Sequence, residues 1–401
     1  MKLALVGVGS AGVRIVDRII EREVETGRNF CNGNMLVFDT TQEAFEEVDH
    51  VPEDHRALFG DVSPRIDENG TGGNPDLGVD VAREDVHEIS RAFDTLDFTE
   101  VDGTLLIAGL GGGTGGGAGA VLLEELQAIS EKPVYALGVL PEDDESDRSA
   151  LNAARALPSF VEIADNVVLF DNEEWTDSID KDDETLEYDE DAETDHEIER
   201  DYDELNRSIA SHVLLLLGAG EIESMTIAEN RADASDLSRT LETGGVSSIG
   251  QASHDIERSN SLLSRILALV PFVGGSDGPE PTDAVKVKQV VRDAVDQRLS
   301  LPCAVDSTER TLVVLSGPPS AVSRKGFESA RHWLENESDT VEVMAGDEPR
   351  TKASSLTATV LFSNVTEVPR IDEMQQRAVS VKDEFDDEDE IDPAESEFEF
   401  V

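Results

Sequence analysis

Positive charge is what this 401-residue chain has least of. Lys and Arg number 32 against 88 Asp and Glu, a formal net charge of −56, and only 8 of the 32 are Lys. No basic stripe exists to neutralise phosphates, which argues against nucleic acid as a partner. Cysteine is almost absent: Cys31 and Cys303 stand far apart, which excludes a disulfide framework and suits two reduced thiols. The seven His show no metal-ligand spacing. The longest apolar run, ILALVPFV at 266–273, is too short to span a bilayer. The chain passes from Met1-Lys2 straight into LALVGVG without a leader pattern, so a cytoplasmic location is the expectation.

An acidic excess of this size fits a disordered chain or a folded one in strong salt. Hydrophobic residues at 38%, gathered in distinct runs, decide for folded domains. At about 1 M salt the Debye length is about 3 Å, so repulsion between surface acids largely disappears. The composition reads as that of an extreme halophile's protein.

What is present is an alternation of strands and helices. LALVGVG, NMLVFDT (34–40), GTLLIAGL (103–110), PVYALGVLP (133–141) and NVVLFDN (166–172) read as buried strands. VRIVDRIIEREV and AVLLEELQAI read as helices between them. Such alternation predicts a parallel α/β sheet with helices on both faces and functional loops at the carboxyl ends of the strands. Residues 173–201 hold 16 acids and 2 bases and read as a surface insertion. YDELNRSIASHVLLLLG (202–218) is a central helix with Leu205, Ile209, Val213 and Leu216 on one face. The expected organisation is a Rossmann-like nucleotide-binding domain over 1–201 and the central helix over 202–220. A loop, helix and connecting loop follow over 221–283, then a smaller α+β domain over 284–370. Residues 371–401 read as a helix and a disordered acidic tail. The last 19 residues contain 11 acids and end in the apolar FEFV.

Glycine carries the chemistry. GLGGGTGGGAG (109–119) has eight glycines in eleven positions between a strand and a helix. Without Cβ atoms, successive N–H groups can converge on an anion, and the following helix adds partial positive charge. Thr114 offers a hydroxyl to a phosphate oxygen or to Mg²⁺. No G-K-[ST] follows, so this is not a Walker loop. GVGSAG (7–12) is a G-x-G-x-x-G after a strand, with Asp39 ending the next strand; alone these favour a dinucleotide. GTGGNPDLG (70–78) adds a third glycine loop. Three such loops in one α/β domain suit a nucleoside triphosphate better. No Lys appears in the first two, and Arg14 is the only cation the sequence puts nearby.

These stretches, in this order, resemble the tubulin/FtsZ superfamily, whose phosphate loop reads GGGTG[ST]G; here Gly116 stands at the bracketed position. GVLPEDDESDRSALNAARAL, LFDNEEW and YDELN continue the resemblance. GGVSSIGQASH, LPCAVDSTERTLVVLSGPP, RKGFESARHWLE and NVTEVPRIDEMQQ are similar to the archaeal CetZ group. The resemblance implies a GTP-binding, GTP-hydrolysing protein that forms head-to-tail filaments and acts in control of cell shape. Gly9, Ser10, Ala11, Gly12, Val13 and Arg14 would line the α/β-phosphates. Thr71, Gly72, Gly73 and Asn74 would face the γ-phosphate. Gly111, Gly112, Gly113, Thr114, Gly115 and Gly116 would cradle the phosphates. Glu145 would hold the ribose, with Asp143 and Asp144 as alternatives of register. Asn172 and Asn206 would read the guanine edge while Tyr202 stacks on the base. A plainer reading leaves Tyr202 and Asn206 as helix-start and surface residues. Asp233 and Asp236, in RADASD, would enter the next subunit's nucleotide site and orient the attacking water or its metal. Arg231 replaces the family's Asn there, and both acids could simply cap the helix LSRTLE. The implied cofactors are GTP or GDP and Mg²⁺. The implied partners are further copies of the chain and related filament proteins. The 261–273 stretch would support lateral or membrane-proximal contact, and the acidic tail would bind a partner or keep filaments soluble.

Overall fold

A computed structural model describes residues 1–46, 48–175, 202–217, 234–256, 283–296, 299–319, 321, 324–337, 342–350 and 353–389. Five parallel strands come first: β1 (Leu3–Val8), β2 (Met35–Asp39), β3 (Arg56–Leu58), β4 (Gly103–Gly109) and β5 (Val134–Leu140), and β6 (Asn166–Asp171) joins them. β7 (Val246–Asp255), β8 (Arg310–Gly317), β9 (Glu342–Pro349) and β10 (Ser355–Ser363) complete one ten-stranded sheet. Its order is β3-β2-β1-β4-β5-β6-β7-β10-β8-β9. β6 and β7 run parallel, but their pairing is confined to Val167 opposite Val246 and Val168 opposite Ser247. β10 is antiparallel to both β7 and β8.

β1, β2, β4, β5 and β6 read as nearly unbroken apolar runs because both faces are covered. In β1, Ala4, Val6 and Val8 enter one core and Leu3 and Leu5 the other. The Leu3–Leu5 face is covered by α1 (Gly9–Thr26), α6 (Tyr202–Leu217) and α7 (Ala234–Leu241). The Ala4–Val6 face carries α2 (Pro75–Glu84), α3 (Val86–Ala92), α4 (Gly119–Ile129), α5 (Asp147–Ile163), α8 (Asp283–Asp296) and α9 (Arg324–Glu337). α10 (Pro369–Asp389) packs along α5. In α6 the four residues expected on one face, Leu205, Ile209, Val213 and Leu216, are all buried. Among the described residues, no helix is long and apolar enough to cross a membrane.

Two departures from the sequence reading bear on function. The 70–78 stretch is loop only as far as Asn74. The Asn74 side chain accepts from the Asp76 and Leu77 N–H groups at 2.9 and 3.1 Å and caps α2, with Pro75 at its first position. The helix after the glycine loop also begins early, with a π-helical turn over Thr114–Ala118 ahead of α4.

Candidate functional site

A cavity of about 240 Å³ opens at the carboxyl ends of β1, β4 and β5. Ala11 and Arg14 of α1, Gly111 and Gly112 of the glycine loop, Glu145, Asn172, and Tyr202 and Asn206 of α6 all line it. Five separated stretches of sequence thus converge, each delivered near the end of a strand or the start of a helix. Tyr202 and Asn206 do share a helix face, and that face is turned into the cavity rather than to solvent.

The remaining glycine-loop candidates do not line the cavity; Ser10 and Gly72 are exposed and the others are half-buried or buried. Val13 is fully buried in the core, so only its backbone could meet a ligand. At Gly12 a Cβ would stand 2.2 Å from the Ile107 carbonyl oxygen, which seats α1 on β4. At Gly113 it would stand 2.5 Å from Thr71 Oγ1 and 2.6 Å from the Asn74 nitrogen. The 70–74 loop therefore lies directly on the glycine loop. Gly115 and Gly116 are buried as well. Much of the glycine run serves this close packing of backbone on backbone, while Gly111 and Gly112 face the cavity.

Hydroxyls gather where these loops meet. Thr114 Oγ1 lies 3.0 Å from Thr40 Oγ1 and 3.2 Å from Thr71 Oγ1. Ser10 Oγ donates to the buried Asp39 at 3.3 Å, and Thr41 donates to the same carboxylate through N–H and hydroxyl. Burial raises the Asp39 carboxyl above its ordinary range, and burial does the same to Glu145. Asp39 thus serves the local turn and Ser10. Among the described residues no cluster of three His, Cys, Asp or Glu could hold a metal.

Four contributors escaped the sequence reading. Asn152 of α5, almost fully buried, donates from one amide to Gly73 O at 2.8 Å and Gly111 O at 3.0 Å, strapping two glycine loops together. Arg148 sets its Cδ within 3.8 Å of where a Gly73 side chain would begin, so Arg14 is not the only cation near the glycine loops. Arg370 and Arg377 of α10 reach the loop that carries Glu145. The partners involved lie tens to hundreds of positions apart, and no spacing rule could have signalled them.

Asp236 lies in the first turn of α7 and does not line this cavity. Asp233 and Arg231, the acidic insertion from residue 176 onward, the 261–273 stretch and the tail beyond Asp389 lie outside the described residues.

The comparisons with known proteins agree with this geometry. A family model for the tubulin/FtsZ GTPase domain matches residues 2–180, and one for the tubulin-like CetZ C-terminal domain matches 195–380. Tubulin-like protein CetZ1 of Haloferax volcanii is 36% identical over 396 residues, covering 96% of this chain and 94% of the relative. The chain belongs to the tubulin/FtsZ family, in its CetZ branch. The GDP-bound monomer of H. volcanii CetZ1 matches with a TM-score of 0.75 at 33% identity, over 95% of this chain and all of that one. The GTPγS-bound protofilament of CetZ2 from the same organism matches with a TM-score of 0.75 at 29% identity, over 96% of this chain and all of that one. The CetZ fold thus accounts for the whole sheet, including the strands beyond β6.

Proposed function

We propose that this CetZ-branch protein binds guanine nucleotide in the cavity above β1, β4 and β5, hydrolyses GTP, and assembles head to tail. The observation that carries the reading is convergence. A backbone cradle at Gly111–Gly112 and an amide–aromatic set at Asn172, Tyr202 and Asn206 line one cavity, with Glu145 among them. That pairing suits a ligand with phosphates and a purine base. Gly9 to Arg14 and Thr71 to Asn74 would contact the phosphates, and Asp143 and Asp144 remain alternatives to Glu145. Mg²⁺ would be held by the nucleotide with help from Thr114. GTP, when bound, would supply the phosphoanhydride; this chain's loops would position it, and the attacking water would be oriented by Asp233 and Asp236 of the next copy.

Asp233 and Asp236 would act on the nucleotide of the next copy, which is in keeping with Asp236 standing outside its own chain's cavity. An active site split between copies is a heterologous contact and builds a filament. The division into a GTPase unit (1–201), a central helix, a connecting region, an α+β unit (284–370) and a tail belongs to the same reading. So do a cytoplasmic setting and a part in cell shape. GTP turnover per subunit, measured in molar KCl with Mg²⁺ against protein concentration, tests it. The rate should climb steeply with concentration and collapse in Asp233→Ala/Asp236→Ala. A slow rate indifferent to both would sink the shared-site reading.

That outcome would favour a second reading, a GTP-holding scaffold that joins or modulates other filaments and hardly hydrolyses. One observation supports it. At Gly116, where the family carries a hydroxyl, a Cβ would stand 2.5 Å from the Leu110 carbonyl oxygen, so this chain's π-helical turn has no place for that side chain.

A further inference from the structure

The helix farthest along the described chain reaches back to the candidate nucleotide site. Arg370, Met374 and Arg377 lie on one face of α10 at i, i+4 and i+7. Met374 is buried, and the two guanidinium groups stand one helical turn to either side of it. Arg377 pairs with Asp147 at 2.7 Å and donates to the carbonyl oxygens of Asp143 at 2.8 Å and Glu145 at 3.1 Å. Arg370 donates to Pro141 O at 2.7 Å, pairs with Asp171 at 3.1 Å, and also meets the Asp143 carboxylate.

These acceptors are not scattered. Pro141 to Asp147 is the segment between β5 and α5, and it carries Glu145. Asp171 is the residue before Asn172. Within the segment the Glu142 N–H donates to Glu145 Oε1 at 3.1 Å, and the Asp143 N–H donates to Glu173 Oε2 at 2.8 Å, so the loop that carries Glu145 is bonded to the residue next to Asn172. Beneath this loop, between it and α10, lies a hollow of about 350 Å³ lined by Pro141, Ala150, Met374 and both arginines. Glu142, Asp143 and Glu373 line it too, so the hollow is half-open and lined mainly by charged residues, and the two guanidinium groups reach across it to the loop.

Strong salt decides which contacts hold. Exposed ion pairs are screened at molar ionic strength. The Arg370–Asp171 pair is sheltered, with side chains 11% and 2% exposed. The bonds to Pro141, Asp143 and Glu145 end on backbone carbonyls and do not depend on a second mobile charge. Arg rather than Lys suits this, since its fork can serve several acceptors at fixed angles.

We propose that Arg370 and Arg377 are positioning residues for the sugar side of the nucleotide, so that the grip of Glu145 on ribose depends on α10 being docked. The proposal rests on the reading of Glu145 given above. By linkage the dependence is mutual: nucleotide that uses this grip holds α10 down.

The test is calorimetric titration of nucleotide-free protein in molar KCl with GDP and with 2′,3′-dideoxy-GDP, which lacks the ribose hydroxyls. Arg377→Ala should weaken GDP by about fivefold or more, while the dideoxy analogue changes far less. Arg377→Lys, which keeps the charge but not the fork, should fall between. Glu145→Ala should abolish the preference for GDP over the analogue. If Glu145→Ala leaves that preference intact, the ribose reading has failed and takes the clamp with it. If Glu145→Ala abolishes it and Arg377→Ala does not reduce it, or weakens both ligands equally, the clamp alone is wrong. Hydrogen exchange over 369–381 in the unaltered protein gives a check free of folding defects. GDP should slow it more than the analogue does, and equal slowing overturns the proposal.

Discussion

The two groups of residues that support the cavity from either side are built from opposite materials. On the glycine-loop side the parts are backbone and neutral hydroxyls: Gly113 under Thr71 and Asn74, and Thr114 between Thr40 and Thr71. On the Glu145–Asn172 side they are charged side chains, with Arg370 and Arg377 holding a loop across a hollow. The loop-to-loop contacts of the first are fixed by steric fit and have no charge to screen, although Arg14, Arg148 and the buried Asp39 stand beside them. The second survives strong salt only where it is sheltered or ends on carbonyl groups. A chain with 24 Arg and 8 Lys among 88 acids uses arginine at this second place, where a planar fork counts for more than a point charge.

The sharpest way to break the comparison is to put a side chain into the first side. Gly113→Ala places a methyl group within 2.6 Å of both Thr71 and Asn74. It should cost about 3 kcal/mol of stability, the upper end for overpacking, and its melting loss should be the same in low and high salt.

Asp171 probes the second side. Burial pushes its carboxyl up to about 6, against the pull of Arg370. A raised folded value means that the folded state holds the proton more tightly, so stability contributed by the protonated form is lost as pH rises from about 4 to about 6. Asp171→Asn should therefore gain on the unaltered protein across that window, by on the order of 2–3 kcal/mol, in melting curves recorded against pH. A flat difference would mean that Arg370 outweighs burial.

Asn152 joins the two glycine loops, and Asn152→Ala leaves the Gly73 and Gly111 carbonyls without their shared donor. The expected loss is about 2 kcal/mol in melting. Because Gly73 belongs to the loop assigned to the γ-phosphate, the ratio of GTP to GDP affinity should fall too. The smallest effect belongs to Arg155, which pairs with Asp76 in full view of solvent, with side chains 48% and 67% exposed. Arg155→Ala should change stability by under about 0.5 kcal/mol, and by nothing measurable in molar KCl.

How much of this was legible varied with the kind of interaction. β1, β4, β5 and β6 announced themselves because strands covered on both faces must be apolar throughout. The buried face of α6 followed from its 3.6-residue period. α2 had a readable start in Asn74-Pro75-Asp76, but the glycines before it drew the whole stretch into a loop reading. β7 was hidden, since VSSIGQASHD has neither an apolar run nor a clean alternation. Its Ser247 and Ser248 are buried because Asn166 and the Leu301 carbonyl accept their hydroxyls at 2.7 and 2.8 Å, partners that no local pattern reveals. Within the site, the glycine loops and the Tyr202–Asn206 pair were legible as motifs. Asn152, Arg148, Arg370 and Arg377 were not, because each acts on backbone or side chains brought near only by the finished fold.

The sheet itself has a mechanical consequence. Where β6 meets β7, strand pairing narrows to Val167–Val246 and Val168–Ser247, whereas β7 and β10 pair along their whole length. A ten-stranded sheet with one such neck behaves less like a single plate than like two plates joined by a short weld. A load applied across it bends the weld first. Stiffness there is shared between the two cores that cross the neck on either face and the polar cluster of Asn166, Ser247, Thr243 and Ser363 beside it.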